Sequence, residues 1–162
     1  MKIKNRQPFI LMADDDSDDY QLTKAALKES GAQVRLERVA DGKELLDYLF
    51  YRGKFVDTER SLCPSLILLD LNMPVKNGKE ALAALKLNPD FRQIPVVVYT
   101  SSSSIDDIQS SYQMGASTYI PKPASFESLV DTMKVLCTYW LDVAALPFSE
   151  TGPSPDRMRV TA

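Results

Sequence analysis

Three short segments of the chain are almost wholly apolar: Pro8–Ala13, Leu66–Leu69 and Pro95–Tyr99. Continuous apolar runs of strand length, with helical patterns between them, predict strands buried on both faces of a parallel sheet. Val34–Val39 largely alternates and Thr118–Ile120 is short, so these two predict edge strands. The gaps read as helices. Gln21–Ser30 ends at Gly31, a suitable residue for the position just past a helix. Asp41 has N-cap spacing to Glu44, ahead of a shared face of Leu45, Leu46, Leu49 and Phe50. Gly78–Leu87 carries Leu82 and Leu85 and stops before Asn88 and Pro89. Ser104 opens a further helix, closed by Gly115, with Ile105, Ile108 and Tyr112 expected to face inward. The last helix, from Ser125 to about Trp140, aligns Phe126, Leu129, Val130, Met133, Cys137 and Trp140 on one stripe.

Five strand–helix units in succession predict an α/β fold, a doubly wound five-stranded parallel sheet with helices on both faces. Interior character for strands 1, 3 and 4 suits the order 2-1-3-4-5, a flavodoxin-like arrangement. Its ligand crevice lies at the carboxyl ends of strands 1 and 3. One domain is expected over residues 1–146. Tyr51–Pro64 is a long connection, and 147–162 is rich in Ser, Pro and Gly, which predicts a disordered tail.

Composition narrows the chemistry. At 162 residues and 44% hydrophobic, the chain can bury one real core. Its apolar runs fall far short of a bilayer span, and Met1–Gln7 is not followed by the long apolar segment of a secretory signal. A cytoplasmic address follows, with Cys63 and Cys137 expected to be reduced structural thiols. Nineteen basic against 22 acidic residues give a net charge of −3, which disfavours nucleic acid as a partner. There is no histidine, so imidazole acid–base chemistry, Ser-His-Asp and Cys-His nucleophile pairs and most catalytic zinc arrangements are excluded.

What remains sits at the carboxyl edge. Strand 1 runs into Asp14–Asp16, Ser17, Asp18 and Asp19; strand 3 into Asp70–Pro74; strand 4 into Thr100 and four serines; strand 5 into Pro121, Lys122 and Pro123. Asp18 and Asp19 fit the first turn of a helix, where acids favour the dipole, and Asp16 or Ser17 can cap it. Asp14 and Asp15 follow a buried strand and would face Asp70 across one sheet row. Carboxylates so close raise one another's pKa unless a cation neutralises them, and hard oxygen ligands without His or Cys suit Mg²⁺. One carboxylate outside a full cage, Asp70, could act as a nucleophile toward phosphorus, with Mg²⁺ and Lys122 balancing the developing charge. Thr100 could hydrogen-bond a phosphoryl oxygen. Gly78 and the Met73-Pro74 pair read only as turn chemistry.

From about Pro8 to Trp140 the chain resembles the receiver domain of two-component response regulators. Asp14-Asp15, Asp70–Pro74 with Gly78, Thr100-Ser101 and Tyr119–Pro123 carry the likeness as an ordered set. The resemblance implies that Asp70 is the phosphoacceptor for a partner histidine kinase or phosphotransfer protein. It further implies that Asp14, Asp15, Asp70 and the backbone carbonyl of Asn72 hold Mg²⁺, and that Thr100 and Lys122 contact the phosphoryl group. Tyr119 would be the rotameric partner of Thr100 in a switch that biases helix 4, strand 5 and helix 5, and the Lys122-Pro123 bond would be cis. Ser101 departs from the alanine common in the family, yet remains small enough for access to Asp70. The Tyr51–Pro64 connection and the ending Tyr139–Pro147 look like single-domain regulators related to those paired with bacterial phytochromes.

Alternatives remain open at this point. A Mg²⁺-dependent aspartyl-phosphate phosphohydrolase would want a second carboxylate where Asn72 stands. A flavodoxin-like cofactor binder would want hydroxyls and amides where strand 1 offers aspartates. A degenerate receiver acting only as an interaction module would not need Asp70, Thr100 and Lys122 together. Tyr139, Trp140, Leu141, Val143 and Leu146 exceed one helix face; they either pack a C-terminal extension onto the protomer or form a homodimer face.

Overall fold

The computed structural model describes residues 7–57 and 63–147. Strands β1 (Phe9–Ala13), β2 (Arg35–Val39), β3 (Leu66–Leu69), β4 (Val96–Thr100) and β5 (Thr118–Pro121) form one parallel sheet in the order β2-β1-β3-β4-β5. Helices α1 (Ser17–Glu29), α2 (Gly42–Leu49), α3 (Gly78–Leu87), α4 (Ile105–Gln113) and α5 (Phe126–Cys137) connect and follow them. Each helix is capped by a side chain chosen for it: Asp16, Asp41, Asn77, Ser104 and Ser125 accept from backbone N–H groups of the first turn.

The apolar runs are continuous because both faces of the sheet are covered. Leu11, Ala13, Ile67, Leu69, Val96 and Val98 face a core that includes Leu45, Leu82 and Leu85 of α2 and α3. Their alternates Ile10, Met12, Leu68, Val97 and Tyr99 face a second core with Ala26 and Leu27 of α1 and Leu129 and Met133 of α5.

Three expectations change. First, α4 does not turn its predicted face inward: Ile105 is 70% exposed and Tyr112 48% exposed, while Ile108 is only partly buried and packs on the first core. Ser111 is the buried residue, its hydroxyl donating to the Asp107 carbonyl at 2.6 Å. Periodicity identifies a shared face, but not whether the assembled fold turns that face to the sheet or to solvent. Second, Phe126 lies off the buried stripe of α5, at 44% exposure. Third, α5 yields after Cys137 to a wider helical turn over Thr138–Val143, from which Trp140 and Leu141 pack on the second core while Tyr139 and Val143 stay exposed.

Within the long connection, a short 3₁₀ turn spans Gly53–Phe55, and Phe55 stacks edge-on to Tyr48. Residues 148–162 of the tail expected at 147–162, part of that connection and the first six residues lie outside the described residues. Cys63 and Cys137 are free thiols, and burial pushes them up to about 12 and about 11. Among the described residues, no helix is long and apolar enough to cross a membrane.

Candidate functional site

The sheet register builds the crevice. Ala13 pairs with Leu69, so Asp14 and Asp70 leave their strands in the same row. The Asp70 N–H donates to the Ala13 carbonyl at 2.9 Å, and the Asp14 N–H to the Val39 carbonyl at 3.0 Å. Thr100 pairs with Pro121, and the Lys122 N–H donates to the Thr100 carbonyl at 2.8 Å. Neighbouring strand ends therefore present two carboxylates, a hydroxyl and an ammonium side by side.

Asp14, Asp70 and Thr100 are buried, whereas Asp15 is exposed. One carboxylate oxygen from each of Asp14, Asp15 and Asp70 lies within 4.8 Å of the others. The Thr100 hydroxyl donates to Asp70 Oδ1 at 2.7 Å, and the Asn72 N–H reaches the same oxygen at 3.2 Å. Lys122 Nζ donates to Asp14 at 2.8 Å, Asp19 at 2.6 Å and Asp70 at 3.3 Å. Burial raises the Asp14 carboxyl above its usual range; hydrogen bonds from Lys122 and the Asp16 N–H oppose that, and the Asp70 charge adds to it. Burial pulls the Lys122 ammonium down, but the carboxylates of Asp14, Asp19 and Asp70 outweigh it and hold the ammonium above its ordinary value. Lys122 is thus a fixed cation.

Three carboxylates against one ammonium leave the row short of positive charge. A hard divalent cation fits that deficit, because the donors are all oxygen and one of them, Asp15, opens to solvent. Asn72 and Asp15 share a cleft of about 610 Å³ with Lys79 and Asp107.

Other residues position the row. Asp16 caps α1 through the Asp18 and Asp19 N–H groups, while its own N–H donates to Asp14 Oδ1 at 2.9 Å. Arg38 donates to the Asp14 carbonyl at 2.9 Å. Gly78 is more than a turn residue: a Cβ there would lie 2.1 Å from the Asp70 carbonyl oxygen, so α3 can start against β3 only without a side chain. Val75, in the same loop, holds φ 64, an uncommon state for a β-branched residue.

The expected residues come together. Tyr119 is buried; its hydroxyl donates to the Ser102 carbonyl at 2.7 Å, and its N–H donates to the Tyr112 hydroxyl at 3.1 Å. It therefore ties down the loop before α4 and the last turn of that helix. Asp19 is the residue that sequence reasoning undervalued, since it holds Lys122 as well as favouring the helix dipole. The one signal was its place in the first turn of a helix opening at the crevice. The Lys122-Pro123 bond differs from expectation: no cis peptide occurs among the described residues, and trans is intrinsically the lower-energy form before proline.

A doubly wound sheet in this order, with an aspartate row, a hydroxyl and a lysine at its carboxyl edge, defines the receiver class of signalling domain. Residues 10–134 match the family model described as the response regulator receiver domain, and the chain belongs to that family, the receivers of two-component signalling. Response regulator Rcp1 of Synechocystis sp. is 36% identical over 88% of this chain and 95% of its own length. The phosphorylated cyanobacterial phytochrome response regulator RcpA superposes with a TM-score of 0.79 at 37% identity, covering 88% of this chain and 99% of that one. The Mn²⁺-bound form of Rcp1 gives 0.77 at 36% identity, covering 86% and 99%.

Proposed function

We propose that this chain accepts a phosphoryl group on Asp70 from a partner histidine kinase or phosphotransfer protein and passes the signal through its α4–β5–α5 surface. The observation that carries this reading is the row itself: Asp14, Asp70, Thr100 and Lys122 on adjacent strand ends, with Asp15 beside them. An Asp70 oxygen bonds to phosphorus as the bond from phosphorus to the donor's imidazole nitrogen breaks, its electron pair leaving with the imidazole. Asp14, Asp15, Asp70 and the Asn72 carbonyl would hold Mg²⁺, which when bound neutralises charge on the phosphoryl oxygens. Thr100 turns its hydroxyl from the carboxylate to a phosphoryl oxygen, and Lys122 offers its ammonium to the same group. Phosphorylation replaces the single charge of the Asp70 carboxylate with a phosphoryl group of nearly two, a net gain of about one negative charge beside Thr100, and Tyr119, tied to the loop before α4 and to its last turn, transmits the change.

The chain is a stoichiometric acceptor rather than a turnover enzyme, catalysing only its own phosphorylation and dephosphorylation. The receiver unit is proposed to span 1–146, followed by a tail at 147–162. Free thiols suit the reducing cytoplasm. The likeness to phytochrome response regulators favours a phytochrome-type kinase. Exposed Val135 and Tyr139 rim a groove of about 460 Å³ beside Trp140 and favour pairing of two copies through the C-terminal face.

Intact-mass measurement after incubation with acetyl phosphate and Mg²⁺ tests the reading. One added phosphoryl group is expected, absent in Asp70→Asn and after EDTA. No adduct, or the same adduct in Asp70→Asn, contradicts it.

A further inference from the structure

Across the mouth of the crevice, Lys79 from the first turn of α3 meets Asp107 from the first turn of α4, with Nζ 2.7 Å from Oδ1. Asp107 has further partners on α4 and the loop before it. Its second oxygen accepts from the Ser102 hydroxyl at 2.5 Å, and its N–H donates to the Ser104 hydroxyl at 3.1 Å. Ser102 in turn offers its carbonyl to Tyr119. A continuous polar chain thus runs from α3 through Asp107 and Ser102 to Tyr119, bracketing the segment that leaves Thr100. Lys79 and Asp107 also line the cleft that holds Asp15 and Asn72.

We propose that Lys79 and Asp107 are positioning residues that fix the Ser101–Ser104 wall of the crevice and so set the lifetime of the phosphoryl group on Asp70. The lifetime part rests on Asp70 being the acceptor. The physical reason is access. Dephosphorylation requires a water oxygen to bond to phosphorus as the bond from phosphorus to the Asp70 oxygen breaks. The products are the Asp70 carboxylate, hydrogen phosphate and one proton released to solvent. A wall held by Asp107 limits water on that side, and a loosened wall admits it. Side-chain exposures of 37% for Lys79 and 29% for Asp107 make this a half-screened pair, so its effect is modest and salt-sensitive.

Two measurements test it on the full chain. Hydrogen exchange of the unphosphorylated protein, read over residues 101–107, stands whether or not Asp70 accepts a phosphoryl group. Lys79→Met and Asp107→Asn should each speed exchange there about two- to fivefold at low salt, and the double variant should do no more than either single one. Lys79→Arg should restore the slow rate, and 1 M salt should narrow the difference. In the acetyl-phosphate assay, the same two variants should shorten the phosphoryl lifetime about two- to fivefold with adduct still formed. Lys43→Met, which breaks a similar pair with Asp47 on α2, should change neither readout. Unchanged exchange in both single variants, additive effects in the double, or failure of Lys79→Arg to rescue overturns the positioning role. Faster exchange with an unchanged lifetime overturns the link to Asp70.

Discussion

Helices α4 and α5 flank the same edge strand, yet they are attached by different means. α5 buries Leu129, Met133, Leu136 and Cys137 in the second core. α4 fully buries only Ser111, packs Ile108 partly on the first core and leaves Ile105 and Tyr112 largely in solvent; its polar attachments are its cap, the Lys79–Asp107 pair and the Tyr119 N–H to the Tyr112 hydroxyl, with the Tyr119 hydroxyl holding the loop before it. Apolar burial cannot be withdrawn without a cost near that of unfolding, whereas a handful of polar contacts can be exchanged for water or for a new charge. The difference makes α5 the more deeply packed of the two helices and α4 the one with fewer buried apolar anchors. Elements that respond to ligands come from the weakly held end of a structure.

The sharpest way to break this contrast is to cut an apolar anchor on each side. Met133→Ala should cost about 2–5 kcal/mol in urea unfolding, whereas Ile105→Ala should stay within about 0.5 kcal/mol. Equal losses would show that α4 is packed as firmly as α5. Next comes the cap. Ser104→Ala should cost about 1 kcal/mol, and the loss should appear as faster amide exchange confined to the first turn of α4. Acid gives the smallest and most local effect. Hydrogen bonds from Lys79 and Ser102 lower the Asp107 carboxyl to about 2. A carboxyl depressed on folding stabilises above its unfolded value near 3.9 and loses that contribution as pH falls from about 4 through about 2. Carbon-13 titration of Asp107 should follow that window, with α4 resonances shifting alongside while those of α5 stay put until global unfolding.

Legibility in the sequence divides along the same line. β3 spans the apolar run and α3 ends at the Asn88-Pro89 stop, because each signal is local. The sheet order, and with it the row of Asp14, Asp70, Thr100 and Lys122, follows from which strands are apolar throughout. The features that could not be read depend on partners far along the chain. Asp19 meets Lys122 only once β1 and β5 are assembled, and Gly78 acquires its close approach only when α3 folds back on β3. The outward face of α4 was illegible for another reason. Three apolar residues at helical spacing define a face, and only the assembled fold decides that Ile105 and Tyr112 of that face point to water.

On the proposed function, charge arriving at Asp70 is answered within the α4–β5–α5 surface by α4 and β5, while the buried face of α5 holds. Hydrogen exchange across the whole chain, before and after acetyl phosphate with Mg²⁺, tests that claim most directly. Altered exchange is predicted over residues 101–113 and 118–121, with Leu129–Leu136 unchanged. Equal change in α5, or none in α4 on a chain shown by mass to be phosphorylated, would contradict it.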